Sequence, residues 1–212
     1  FVKIRGTTVT VLGLDGQPVL TKDLRGINGL DKIEKTETNT IKAVKELGHK
    51  LGIATPHRID LFDNSNIQGA YAVSGMVVFR DGVPSKNDYR KYKIKTVEGP
   101  DDYASMKEVI YRRCLRILTD NHEPPGLIIV DGGKGQIKMA REVIELLNLD
   151  IYVCGLAKDD RHQTAVLLDM NGNEVPIDRQ TPLFYLLTRM QDEVHRFAID
   201  YNRKLRKKKA YS

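Results

Sequence analysis

Apolar residues recur along the chain with two periods, and the points where the period switches mark the elements. Val9 and Val11 alternate with Thr8 and Thr10, and Val19-Leu20 follows a turn at Asp15-Gly16, which predicts a small β piece within residues 1–35. Gly26 and Gly29 mark a loop. From Asn39 the series Ile41, Val44, Leu47, Leu51 has helical spacing, closed by Gly52 and Pro56. Residues 58–62 read as a strand that ends in Asp63-Asn64-Ser65-Asn66, four small polar residues with turn chemistry. Residues 73–79 predict a second strand, closed by Asp81-Gly82, and residues 89–97 a third, in which aromatic or apolar positions alternate with Arg and Lys. Gly99-Pro100-Asp101-Asp102 opens a helix with Met106, Ile110, Cys114 and Ile117 on one face, and Pro124-Pro125-Gly126 breaks it.

Leu127-Ile128-Ile129-Val130 is an unbroken apolar run, the mark of a strand buried on both faces. Asp131-Gly132-Gly133 follows, then a helix over residues 136–147, strands over 151–157 and 164–168, and a turn at Asn171-Gly172-Asn173. Thr181 caps a last helix with Pro182 at its first position. Leu183, Leu187, Met190, Val194 and Phe197 form its apolar stripe. Three strands joined by tight turns make a meander, and the helix after them must cross over to lay the buried strand parallel to the first. The fold class expected is α/β: a mixed sheet, a three-strand meander plus parallel strands, flanked by helices.

The chain has 212 residues, enough for a sizeable core, and no apolar run long enough to cross a bilayer. Opening on Phe1 rather than Met, it is expected to be a piece of a longer protein. Cys114 and Cys154 sit inside apolar periodic segments, which predicts buried thiols in a reducing compartment. The net charge of +6 points to a polyanionic partner. The excess is uneven. Residues 86–95 interleave five cations, among them Arg90, Lys91 and Lys93, with Tyr89 and Tyr92, a composition that suits phosphates and stacked bases as well as a solvated strand face. Residues 203–209 hold six cations, Arg203 and Arg206 among them, more than a helix end needs to complement its dipole.

Asp63 reads as a turn former or as a site residue at a strand end. Asp131 closes the buried strand, where open α/β sheets place their sites. The topology makes these strands neighbours, so two carboxylates meet at one sheet edge and repel unless a cation lies between them. Mg²⁺ and Mn²⁺ prefer such oxygen ligands. One of Asp101 and Asp102 suffices to cap its helix, which leaves the other to face the site. His195 is either a partly buried histidine bonded to Asp192 or a metal ligand or proton carrier. A P-loop is excluded, because Ile128 and Gly135 occupy the places of its first Gly and its Ser or Thr; Lys134 and the glycines at the helix start can still hold a phosphate.

From Phe62-Asp63-Asn64-Ser65-Asn66-Ile67-Gln68-Gly69 onward the chain resembles the endonuclease half of the excinuclease UvrC family, the incision proteins of bacterial nucleotide excision repair. The resemblance runs through Tyr89-Arg90-Lys91-Tyr92-Lys93, Gly99-Pro100-Asp101-Asp102-Tyr103-Ala104, Ile129-Val130-Asp131-Gly132-Gly133-Lys134-Gly135-Gln136 and Gly155-Leu156-Ala157-Lys158 to Gln191-Asp192-Glu193-Val194-His195-Arg196-Phe197, over about residues 40–206. It implies a ribonuclease-H-like fold over 36–212, with residues 1–35 a separate small β segment of open role. It also implies a cytoplasmic, metal-dependent cut, with Mg²⁺ or Mn²⁺, on the 5′ side of a lesion in double-stranded DNA. The family's acids fall on Asp63, Asp102 and Asp131 and its histidine on His195, with Asp63, Asp131 and His195 as metal ligands; Asn66 stands where many relatives have histidine. The excinuclease protein UvrB is the partner implied, through segments not evident here. Two other readings stay open: a non-catalytic DNA-binding platform, and a ribonuclease-H-like nuclease acting on RNA or hybrids.

Overall fold

A computed structural model describes residues 2–5, 8–12, 18–23, 30–65, 72–97, 101–158 and 165–210, with side chains, Thr10 apart, between residues 39 and 207. β1 (Val2–Arg5), β2 (Thr8–Leu12) and β3 (Pro18–Asp23) form a three-stranded antiparallel sheet. β1 is a strand that the alternation of valines did not predict, and the turn at Asp15-Gly16 lies outside the described residues. α1 (Leu30–Leu51) starts nine residues before the predicted Asn39. Val44, Leu47 and Leu51 face the core as their spacing implies, but Ile41 is 43% exposed, and Ala43 takes its place.

The main sheet comprises β4 (Arg58–Ser65), β5 (Val73–Arg80), β6 (Val83–Pro84), β7 (Arg90–Lys93), β8 (Leu127–Asp131), β9 (Tyr152–Lys158), β10 (Ala165–Leu168) and β11 (Glu174–Val175). Its order is β11-β10-β9-β8-β4-β5-β6, with β7 also on β5. β8 is parallel to both β4 and β9, as the crossover requires, and the other pairs are antiparallel. The third meander strand is thus shorter than expected and split. Asp81 and Gly82, both at positive φ, close a two-residue hairpin into β6; a 3₁₀ turn at Lys86–Asp88 then lifts the chain off β5, and only Arg90–Lys93 rejoins it.

α2 (Asp102–Thr119) and α3 (Lys134–Leu146) cover one face of this sheet, α1 and α4 (Pro182–Ala210) the other. Strand alternation sorts the side chains: Ile59 and Leu61 with Leu127 and Ile129 pack under α1 and α4, whereas Phe62 with Ile128 and Val130 packs under α2 and α3. α4 begins as predicted, with Thr181 Oγ1 accepting from the Phe184 N–H at 3.3 Å. Its stripe of Leu183, Leu187, Met190 and Val194 is fully buried. Cys114 and Cys154 are buried free thiols. Burial pushes the Cys114 thiol up to about 12, so it stays protonated and inert. Among the described residues no helix is long and apolar enough to cross a membrane.

Candidate metal centre at the sheet edge

The alternation that sorts the core also aims the acids. Leu61, then Asp63, and Ile129, then Asp131, continue the positions that face α4. Phe62 is in register with Val130, so Asp63 and Asp131 are the next residues on two adjacent parallel strands. Neighbouring strands lie about 4.8 Å apart, which forces the two carboxylates together.

α4 supplies the third member. Gly75, in register with Asp63, has no Cβ, and one placed there would lie 2.9 Å from Phe197 Cδ1 and 3.2 Å from the Ala198 amide nitrogen. Only glycine lets the helix backbone settle this close to β5. His195 is carried down with it, and its Nδ1 stands 3.0 Å from Asp63 Oδ2. The alternative partner, Asp192, is not the one it takes. One ligand atom from each of Asp63, Asp131 and His195 lies within 4.8 Å of the others. Asp63 is buried, and the His195 side chain is 54% exposed.

The supports of this cluster were not singled out from the sequence. Gln191, 4% exposed, donates from Nε2 to Asp131 Oδ1 at 2.8 Å, one helical turn before His195. Ser74 Oγ donates to the Asp63 carbonyl at 2.9 Å, and Asn202 Nδ2 to that of Ser65 at 3.0 Å, which ties the end of β4 to β5 and α4. Gln191 lies inside the stretch that carries the family resemblance, and that was its only signal.

Electrostatically the cluster is short of positive charge. Burial, then the charge of Asp131, push the Asp63 carboxyl up to about 7, against the opposing effect of His195. Burial also raises Asp131, opposed by its Gln191 hydrogen bond and by the charges of His195 and Lys158. A buried and a half-buried carboxylate with an imidazole match the donor set of a hard or borderline divalent cation, which would remove both the repulsion and the desolvation penalty.

A pH prediction follows with a definite sign. Below the unfolded value of 3.8 Asp63 is protonated in both states; between 3.8 and about 7 only the folded protein holds the proton. Stability of the metal-free protein therefore falls as pH rises through that window. Asp63→Asn removes the effect, so in EDTA at about pH 8 it is expected to raise stability, by at most ~4 kcal/mol for about three pK units. Near pH 4 (about the unfolded value) the variant is expected to unfold within about 2 °C of wild type. Thermal melts at both pH values check this; a lower midpoint for the variant at the higher pH contradicts it.

The other predicted residues fall around the cluster. Asp101 is the capping aspartate, its Oδ1 accepting from the Ala104 N–H at 2.9 Å. Asp102 begins α2, exposed, and its carbonyl accepts from Asn64 Nδ2 at 3.0 Å; its carboxylate is not part of the three-residue cluster. Lys134 is exposed at the start of α3, but the glycine amides beside it are engaged: Gly132 donates to the Leu156 carbonyl and Gly133 to Gln136 Oε1. Of the glycine amides expected to help hold a phosphate there, those of Gly132 and Gly133 are thus turned to partners within the protein. Arg90, Lys91 and Lys93 are exposed on β7, and Lys91 reaches over the rings of Phe197 and Tyr201. Tyr89 and Tyr92 are not open stacking surfaces. Tyr89 packs edge-on against Phe197 and donates to Glu193, and Tyr92 lies against the α2-side core beneath Arg112. Arg203 and Arg206 are exposed on α4, about 12 and 17 Å along the helix from His195. Asn66 lies outside the described residues.

Comparison with known proteins gives one family and several likenesses of fold. The family model described as UvrC RNAse H endonuclease domain matches residues 48–199, a span that holds all three members of the cluster. Endonuclease V of Ciona intestinalis, in complex with a 24mer DNA containing an inosine followed by a ribo-adenosine, is similar at 17% identity and a TM-score of 0.38, over 61% of this chain and 58% of that one. This chain thus spans less than two thirds of that protein's length. Human ENDOV is similar at 13% identity and a TM-score of 0.40, over 85% of this chain and 99% of that one. Kluyveromyces polysporus Argonaute with a guide RNA is similar at 12% identity and a TM-score of 0.34, over 68% and 20%.

Proposed function

The chain belongs to the UvrC RNase H endonuclease domain family, a nuclease domain of ribonuclease-H-like fold, and from that premise we propose that it cuts DNA on the 5′ side of a lesion in a metal-dependent step of nucleotide excision repair. The observation that carries this reading is the meeting of Asp63, Asp131 and His195 at one sheet edge, with both acids raised by burial. Damaged double-stranded DNA is the substrate, the excinuclease protein UvrB the partner, and the cytoplasm the compartment.

Asp63, Asp131 and His195 would hold Mg²⁺ or Mn²⁺. When bound, the cation supplies a Lewis acid that activates water and stabilises charge on the phosphate. Asp63 also orients the imidazole of His195 through the Nδ1 contact, and the rest of the ring is exposed. Gln191 holds the Asp131 carboxylate in one orientation, so the donor set is arranged before the cation arrives. Asp102 is a third acid at the rim. Lys134 and the exposed cations of β7 and α4 bind phosphates and so position the duplex.

The direct test is nicking of a lesion-bearing duplex against an undamaged duplex and an RNA–DNA hybrid, with Mg²⁺ or Mn²⁺ present. Preferential nicking of the damaged duplex supports the proposal. Preference for the hybrid assigns the domain to RNA chemistry, and binding without cutting to a platform.

A further prediction concerns the tail. Deleting residues 203–209 is expected to weaken DNA binding and lower the slope of log affinity against log salt, by about 0.9 for each phosphate no longer bound. Preference for damaged over undamaged DNA is expected to stay, because phosphate contacts carry no sequence or lesion information. A salt titration checks both points, and an unchanged slope makes the tail a solvated helix end.

A further inference from the structure

On the opposite face of the sheet from Asp63 and His195, a cleft of about 700 Å³ opens between β7 and the C-terminal half of α2. Its floor is a buried charge network. Asp60, fully buried, accepts from Arg58 Nε at 2.9 Å and from Arg113 Nε at 2.8 Å. Glu123 bridges Arg58 and Arg80, and Arg80 also pairs with Asp88 at 2.9 Å. Arg90, Arg112 and Arg116 stand at the rim. Six arginine side chains belong to the cleft, since Lys91 turns to the other face over Phe197 and Tyr201. Their acidic partners are five, counting Asp60 beneath the floor and the pairing acids Glu108 and Asp120, which leaves an excess of one positive charge.

That arrangement is a poor way to obtain stability alone. Apolar side chains of similar volume usually stabilise a core at least as well as a buried ion network, because the charges must first be stripped of water. What the network does achieve is orientation: Arg58, Arg80 and Arg113 are each fixed by two partners. Arg90 makes contacts only to the carbonyls of Asn87 and Tyr89 among the described residues, so its charge is not matched by an acid.

Strand geometry connects the cleft to the cutting site. Lys91 is in register with Gly75, and Gly75 with Asp63, which places Lys91 two strand spacings, about 10 Å, from the acid. Arg90, the preceding residue, points to the other face, toward the cleft. β7 lies on the outer side of β5, so a chain of phosphates leaving Asp63 meets Lys91, rounds the edge at Arg90, and enters the cleft. From Met76, beside Arg90, to Arg80 is four residues, about 13 Å, the length of about four base pairs along a duplex axis at ~3.4 Å each.

We propose that this arginine cleft is a second phosphate-binding site that holds the backbone of the DNA flanking the cut. It rests on the reading of the domain as a DNA endonuclease. The shared chemistry is a row of phosphate oxyanions, and a free polyphosphate is the other source that the test must separate from DNA.

The test uses the full chain carrying Arg112→Gln with Arg116→Gln. Arg116 forms only an i,i+4 pair on the helix surface, whereas Arg112 also donates to the Lys93 carbonyl and lies over Tyr92, so the double variant is expected to melt somewhat below wild type and to stay folded at assay temperature. Arg90→Gln, on a different element, is the second variant. For a long duplex the double variant is expected to lose about 1.8 from the salt slope and Arg90→Gln about 0.9. For a duplex too short to reach past β7, the double variant is expected to match wild type. Unchanged slopes on the long duplex, in variants that remain folded, overturn the proposal. So does a tripolyphosphate-induced rise in thermal midpoint that the double variant loses while its DNA slope stays intact, because the cleft then binds a free polyphosphate. Failure of wild type itself to bind or nick DNA is a different result, one that overturns the endonuclease reading.

Discussion

Asp63→Ala is expected to reduce metal-dependent nicking to below one-thousandth of wild type, about 4 kcal/mol of barrier, while the protein stays folded. Both halves of that expectation come from the same burial. Asp63 is the most enclosed member of the cluster and interacts with both of the others: it repels Asp131 and bonds His195. Removing it therefore takes away a ligand and the orientation of a second one. The fold loses little, since the backbone of Asp63 keeps its ladder to Gly75 and its carbonyl keeps the Ser74 hydroxyl. Relief of like-charge repulsion even works in the variant's favour above about pH 7. Nicking at the wild-type rate refutes the assignment; a folding defect would instead show Asp63 to be a structural turn residue. Circular dichroism and a nicking assay on the same preparation separate these results.

His195→Ala is expected to behave differently, raising the Mn²⁺ needed for half-maximal rate by about tenfold or more, with the rate partly restored by added metal. The geometry favours this outcome because a ring nitrogen of His195 lies within 4.8 Å of an oxygen of each acid, and the ring is held by Asp63 rather than by its helix neighbour Asp192. A proton carrier would leave a different trace. The variant would then bind metal as wild type does, stay slow at saturating Mn²⁺, and lack one limb of the wild-type pH profile. Rate against Mn²⁺ at two pH values decides between them. Full activity under all these conditions would leave a purely acidic site. Gross unfolding is not expected, since the buried stripe of α4 runs through Leu187, Met190 and Val194 and leaves His195 at its edge.

The residues that the sequence makes legible are those whose roles follow from local pattern. Asp63 and Asp131 each follow a buried apolar stretch of their own strand, and strand alternation with a single crossover is enough to bring them together. The capping aspartate before α2 and Thr181-Pro182 before α4 follow from backbone chemistry at helix starts. What stays hidden depends on contacts between distant segments. Gln191 reads as one more polar residue on an amphipathic helix until its partner, 60 positions away, is known. His195 has an acid three residues before it, and the structure prefers one 132 residues away. Gly75 sits inside a strand where no turn calls for glycine, and only the close approach of α4 explains it. Tyr89 and Tyr92 mislead for the same reason: the alternation that sets them among cations does not reveal that helices cover both faces. The first nine residues of α1 hold only Leu30 and Ile33 as apolar positions, too few to announce a helix.

The central claim is that Asp63, Asp131 and His195 hold one divalent cation in common. The measurement that bears on it most directly is anomalous scattering from crystals soaked in Mn²⁺. The account predicts a peak at bonding distance from both carboxylates and from the imidazole, which disappears in Asp63→Ala crystals soaked alongside. Mn²⁺ found elsewhere on the protein, with this cluster lacking a peak, would contradict it.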